Sequence, residues 1–287
     1  MPVPHKNLRA LLVLGRVSNL PTVWSNCLAA WLLSGGGNWW CFAVLCVGAS
    51  CFYLGGMFLN DAFDAQFDQQ RRKERPIPSG AIPEHTVWRW GWSWLAAGII
   101  CLACLGKLTA VLALLLAVTI VFYDVVHKLL AFAPVFMAQC RFLLYLVAAS
   151  CASGGMAGLA IWSGLALGAY VLGVSYLAQK ESTRATPSWW PVAGLAAPVV
   201  LALLVNTGVF RSSAVFLSVV LALWVARSLR SIWWAEQPNT GRAVAGLLAG
   251  IVLVDWLAIA DQGREFGFVF IGLFLLALAL QRFVPAT

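Results

Sequence analysis

The stretch Asn60-Asp61-Ala62-Phe63-Asp64-Ala65-Gln66-Phe67-Asp68 closes a long apolar run and leads into Gln69-Gln70-Arg71-Arg72-Lys73-Glu74-Arg75-Pro76-Ile77-Pro78-Ser79-Gly80. Spaced i, i+3 and i+7, the three aspartates fall along one stripe of a helix, and the Asn60 amide, four residues before Asp64, joins them. Like charges on one stripe repel, and a carboxylate inside a bilayer costs a further ~2.5–3.5 kcal/mol on insertion scales. Something must compensate. A divalent cation does so: Mg²⁺ is commonly held by one or two carboxylates, with phosphate oxygens and water completing its octahedron. The plainer alternative is a solvated helix end whose acids pair with Arg71, Arg72 and Lys73.

The setting of the motif follows from the rest of the chain. Of 287 residues 61% are hydrophobic and 10% charged, against roughly 25% charged in soluble domains. Apolar runs of about twenty residues, long enough to cross a ~30 Å hydrocarbon core as helices, recur at 8–33, 39–62, 86–106, 108–127, 131–152, 160–180, 189–207, 212–233, 242–260 and 266–283. The expectation is an all-α polytopic membrane protein, a bundle of about nine to ten transmembrane helices in one domain over residues 1–287. Met1–Ala10 runs straight into the first apolar stretch without a small-residue cleavage site, so that segment is expected to be retained.

The net charge of +8 does not point to nucleic acid, because the basic residues lie in short loops between spans. With a cytoplasmic N-terminus and ten crossings, fifteen Lys and Arg fall inside and Lys107, Arg211 and Arg264 outside, with Arg141 in the bilayer. That asymmetry is what positive-inside orientation requires. It places residues 61–75, 124–128 and 180–184 together on one face, the cytoplasmic one. The eight cysteines, including the Cys101/Cys104 pair, lie nearly all inside apolar runs and read as small buried hydrophobes.

Asn60–Asp68 followed by Arg75-Pro76-Ile77-Pro78-Ser79-Gly80 resembles the first aspartate-rich motif and trailing turn of the UbiA superfamily of intramembrane prenyltransferases. Arg16-Val17-Ser18-Asn19-Leu20-Pro21 is similar to that family's first span, and Tyr123 and Lys128 match its fourth. The resemblance implies a helical bundle around a central cavity, whose mouth binds an isoprenoid diphosphate through Mg²⁺ and whose tunnel takes the prenyl chain. It further implies prenyl transfer to an aromatic or other lipophilic acceptor. On this reading Asp61, Asp64 and Asp68 hold the metal. Lys128 and Glu181 join them as catalytic residues, and Arg16, Asn19, Asn60, Arg75, Tyr123, Arg141 and Lys180 bind substrate. Partners are the diphosphate, the acceptor and membrane lipids, with no nucleic acid. The chemistry suits the residues: departure of diphosphate leaves a carbocation-like centre, and preorganised positive charge stabilises the leaving group.

Several residues keep two readings open. Lys128 fits a diphosphate ligand or a positive-inside anchor; Asp124 fits the metal site or a pair with Lys128; His127 reads as interfacial. Arg141 lies about ten residues into its span, too deep to snorkel, and is a functional residue by default, in contact with phosphate or paired with an acid across the bundle. Asp255 is equally deep and is assigned only a buried cation partner or a polar cavity. The Trp pairs at segment ends read as interfacial anchors. The family's second motif, D-x-x-x-D, is missing: residues 173–185 contain no aspartate, only Glu181 with Lys180 and Arg184. The chain thereby resembles a divergent branch, the UbiA-like EboC proteins. A relative that binds or moves a hydrophobic metabolite without transferring a prenyl group is the alternative.

Overall fold

The computed structural model describes residues 4–183, 189–236, 238–263 and 265–286, with the side chains of 4–7 and 180–183 outside the described residues. It is all helical: twelve α-helices and no strand among the described residues. They run α1 (Pro4–Leu14), α2 (Leu20–Leu33), α3 (Trp39–Phe63), α4 (Ala65–Arg71), α5 (Glu84–Ala103), α6 (Lys107–Val126), α7 (Pro134–Ser150), α8 (Gly158–Thr183), α9 (Pro191–Val205), α10 (Arg211–Trp233), α11 (Thr240–Ala258) and α12 (Glu265–Gln281). Five helical segments, at 39–63, 107–126, 158–179, 208–233 and 240–258, are long and apolar enough to cross a membrane. Three more, α7, α9 and α12, are apolar but shorter. The chain is an integral membrane protein.

The continuous first span expected over 8–33 is instead broken. After α1, Arg16 turns left-handed (φ 40°, ψ 48°), and Val17–Asn19 form one turn of 3-10 helix before α2 begins. Pro21 at the start of α2 explains the fresh start, since it lacks the N–H that a continuing helix would use. Arg16 is the one non-glycine residue with positive φ among the described residues, a conformation that costs about 1–3 kcal/mol and is characteristic of functional sites. The Tyr53 hydroxyl holds it by donating to the Arg16 carbonyl at 3.2 Å.

α2 lies at the centre of the bundle, packed on α3, α7, α8, α11 and α12. This explains why its polar residues Thr22, Ser25 and Asn26 are fully buried. α3 carries the aspartate motif at its C-terminal end and is fixed by α5. Gly48 and Gly55 of α3 receive Leu102 and Leu95 of α5, while Gly91 and Gly98 of α5 receive Leu59 and Phe52 of α3. Small residues at such a seam let membrane helices approach closely enough for dispersion contacts to hold them. A Cβ on Gly55 would meet Leu95 Cγ at 2.9 Å and its backbone N at 3.0 Å. Gly55→Leu is therefore expected to destabilise by at least about 1–3 kcal/mol; a thermal unfolding midpoint in detergent equal to the parent's would contradict this seam.

Candidate functional site

The site forms where α3 hands over to α4. α3 ends at Phe63 and Asp64 caps it. The turn repeat nonetheless continues, since Asp64 N–H donates to the Asn60 carbonyl at 3.0 Å and Asp68 N–H to the Asp64 carbonyl at 2.9 Å. Asp61, Asp64 and Asp68 are all buried. The turn after α4 brings Arg75 back over them. Gly80 at φ 73° closes that turn, where a side chain would be strained. Ile77 and Ile82 pin it from below to Leu14 of α1 and to Phe58 and Ala62 of α3.

The acids meet bases, though not the Arg71, Arg72 and Lys73 of the solvated-end alternative. Arg75 Nη1 bridges Asp61 Oδ1 at 3.1 Å and Asp68 Oδ2 at 2.9 Å, and Arg16 Nη2 reaches Asp61 Oδ1 at 3.3 Å. Asp64 Oδ1 pairs with Lys128 Nζ at 2.5 Å and lies 3.2 Å from His127 Nε2. Lys128 also rests on the Phe67 ring, 3.8 Å from its centre. Burial pushes the Asp64 carboxyl upward, but His127 and Lys128 together hold it below the usual carboxylate range. Asp68 goes the other way: burial raises its pKa, Arg75 lowers it, and the neighbouring Asp64 and Asp61 charges add to the rise.

Asp124, at the end of α6, is a fourth carboxylate at this end of the bundle. It is buried, and its Oδ1 accepts from Asn60 Nδ2 at 3.0 Å. The sequence left it between the metal site and Lys128; the structure gives Lys128 to Asp64 and Asp124 to Asn60. A buried carboxylate held by an asparagine four residues before Asp64 leaves no periodic signal in the sequence, which is why its partner was not legible there.

Oxygen donors of the hard kind suit Mg²⁺, and Asp68 Oδ1 and Asp124 Oδ2 are buried without a hydrogen-bond partner, so the donor chemistry fits a divalent cation. The carboxylates are not converged on one point: among the described residues no group of three His, Cys, Asp or Glu side chains is gathered to hold a metal. Arg75 and Lys128 stand between them instead.

From this mouth a cavity of about 80 Å³ runs between α2, α3, α6 and α7. Phe52, Met57, Leu116, Ile120, Met137 and Leu144 form its apolar walls. Its polar lining is Tyr53, Tyr123, Asp124 and Arg141.

The remaining residues singled out in the sequence are placed as follows. Asn19 donates through Nδ2 to the Ala286 carbonyl at 3.0 Å, so its amide also ties down the segment after α12. Arg141 reaches Asn26 and Thr22 of α2, and Asp255 accepts from Ser25 and Asn26. The backbones of Lys180 and Glu181 lie in α8, but their side chains, and Arg184 altogether, lie outside the described residues. All eight cysteines are free thiols.

The fold and the site together define a membrane-embedded helical bundle with an acid–base cluster at the head of a largely apolar cavity. The model of the UbiA prenyltransferase family matches residues 18–239, and the chain belongs to that family. A digeranylgeranylglyceryl phosphate synthase of Metallosphaera sedula is 36% identical over 69 residues, which span 24% of this chain and 24% of the relative. A synthase of the same name from Methanoregula boonei is 25% identical over 218 residues, 74% of this chain and 70% of that one. Among solved structures, a UbiA homologue from Archaeoglobus fulgidus bound to GPP and Mg²⁺ superposes with a TM-score of 0.62 at 16% identity. That match covers 93% of this chain and 99% of the other, and it carries the fold.

Proposed function

We propose that the protein is a Mg²⁺-dependent prenyltransferase, a single domain over residues 1–287, moving a prenyl group from an isoprenoid diphosphate to a lipophilic acceptor within the membrane. The observation that carries this reading is the placement of four buried carboxylates, with the bases Arg16, Arg75 and Lys128 between them, at the head of a largely apolar cavity. The Mg²⁺ and GPP of the Archaeoglobus fulgidus structure and the names of the synthase relatives support it. The basic residues fall on the positive-inside face, which supports a cytoplasmic mouth in a bacterial plasma membrane.

Asp61, Asp64 and Asp68 would hold the metal, which would supply Lewis-acid neutralisation of the diphosphate. Arg16, Arg75 and Lys128 exchange their carboxylate partners for phosphate oxygens as the donor enters, so the same cations serve the empty and the loaded site. Asn19, Asn60 and Tyr123 line the donor's approach. The apolar walls keep water from the allylic carbon as its bond to oxygen breaks. The acceptor's nucleophilic atom then bonds to that carbon, diphosphate leaves, and the acceptor's proton passes to Asp124, the carboxylate that lines the cavity. Lys180 and Glu181, at the end of α8, stand in for the missing second motif.

The lack of any aspartate over 173–185 favours a second reading, a relative that binds the diphosphate and presents a hydrophobic metabolite without transferring it. Incubation of the protein in lipid with labelled geranylgeranyl diphosphate, Mg²⁺ and a panel of aromatic, glyceryl phosphate and lipid-alcohol acceptors separates the two by mass spectrometry. A prenylated product supports transfer; saturable binding with no product in any arm favours the second reading. Lys128→Ala is expected to raise the donor KM about 10-fold or more, the worth of one charge-assisted contact; an unchanged KM would return Lys128 to the role of a topological anchor.

A further inference from the structure

Within the same cavity, roughly 10 Å along α7 from its Pro134 start at 1.5 Å per residue, Arg141 lines the wall. Its hydrogen bonds go to uncharged groups: Nη1 to Asn26 Oδ1 at 2.7 Å and to the Thr22 carbonyl at 3.4 Å, and Nη2 to Thr22 Oγ1 at 3.1 Å. Among the described residues no carboxylate lies within ion-pair distance of it. The nearest carboxyl group in its hydrogen-bond network is one residue removed. Asp255, wholly buried on α11, accepts at Oδ2 from Asn26 Nδ2 at 2.7 Å and from Ser25 Oγ at 2.5 Å.

The chain Asp255–Asn26–Arg141 therefore orients the guanidinium without capping it. Asn26 turns its amide hydrogens to the carboxylate and its oxygen to the cation, so its own flip state is fixed by its two neighbours. A guanidinium carries five N–H donors, and three of them are used here, leaving donors on Nε and Nη2. A cation that is expensive to bury is thus held, half-buried, against an apolar-walled space, with a fork whose geometry matches an oxyanion.

We propose that Arg141 is an anion-recognition residue deep in the cavity, distinct from the diphosphate mouth, which selects acceptors carrying a carboxylate or phosphate head. Thr22 and Asn26 position it, and Asp255 acts only through Asn26. The inference rests on the prenyl-transfer reading for its biological sense, but the binding it asserts is measured without turnover.

The test is calorimetric titration of the protein in lipid nanodiscs with decyl phosphate, decanoate and decanol, which share a tail and differ in head. The parent is expected to bind the two anions at least about tenfold more tightly than the alcohol, the value of a charge-assisted hydrogen bond. Arg141→Gln should erase that preference, whereas filling the mouth beforehand with saturating inorganic diphosphate and Mg²⁺ should leave it. Should Arg141→Gln fail to fold, Asn26→Asp sets a carboxylate against the guanidinium and is expected to cancel the preference in the same way. An anion preference that survives either folded variant, or that disappears once inorganic diphosphate fills the mouth, overturns the assignment. Phosphate preferred and decanoate ignored would identify a phosphate head; equal binding would identify any oxyanion. Both support the site. Geranyl diphosphate turnover measured alongside reports separately on the transfer reading: lost turnover with the anion preference intact contradicts that reading alone.

Discussion

Asp64→Ala and Asp68→Ala are each expected to reduce prenyl transfer by at least about 10²–10³-fold, the usual cost of removing one group that stabilises developing negative charge in an active site. The protein should still insert and fold. Removal of Asp68 leaves Arg75 with Asp61 at 3.1 Å, and removal of Asp64 leaves Lys128 partly exposed over the Phe67 ring, where water can solvate it. The seam of Gly48, Gly55, Gly91 and Gly98 that fixes α3 is untouched. Size-exclusion profiles and unfolding midpoints should therefore match the parent while diphosphate release is lost. Retained turnover in both variants would remove the aspartates from the reaction.

The second large effect is expected at Asp124. Asp124→Asn keeps the shape and a hydrogen bond to Asn60, but it removes the one carboxylate that lines the cavity among the described residues. If that carboxylate takes the acceptor's proton, transfer should fall about 10²–10⁴-fold, the range for general bases. Donor affinity in the presence of Mg²⁺ should stay within a few-fold of the parent's, since Asp61, Asp64 and Asp68, the proposed metal ligands, remain. Glu181→Ala is expected to lower turnover more than donor affinity, but by less than Asp124→Asn. A silent Asp124→Asn beside a severe Glu181→Ala would move the proton acceptor to the end of α8.

The sequence showed the membrane class, the aspartates and most of the basic residues because each leaves a local mark: apolar runs, i, i+3, i+7 spacing, and charge asymmetry around the loops. What it could not show are partnerships between spans. Arg141 meets Asn26 across 115 residues and Asp255 meets Asn26 across 229, and nothing in either span's periodicity encodes the other. The break in the first span was hidden for a different reason. The signal for it is a single left-handed residue, Arg16, an arginine where a glycine would be expected to advertise the turn. Pro21 was visible, but apolar residues continue on both sides of it, so hydropathy alone did not mark the restart. Lys128, open between anchor and ligand on sequence, is placed by α6 beside Asp64, and that contact ties the two motifs into one site.

The most direct measurement is release of inorganic diphosphate from geranyl diphosphate by the purified protein in lipid, with an extract of source membrane as acceptor, in Mg²⁺ and then in excess chelator. Release that appears with Mg²⁺, stops with chelator and is lost in Asp64→Ala is the expected result. Release undiminished by chelator, or no release from geranyl diphosphate or longer prenyl diphosphates in Mg²⁺, would contradict an ionisation site built on these aspartates.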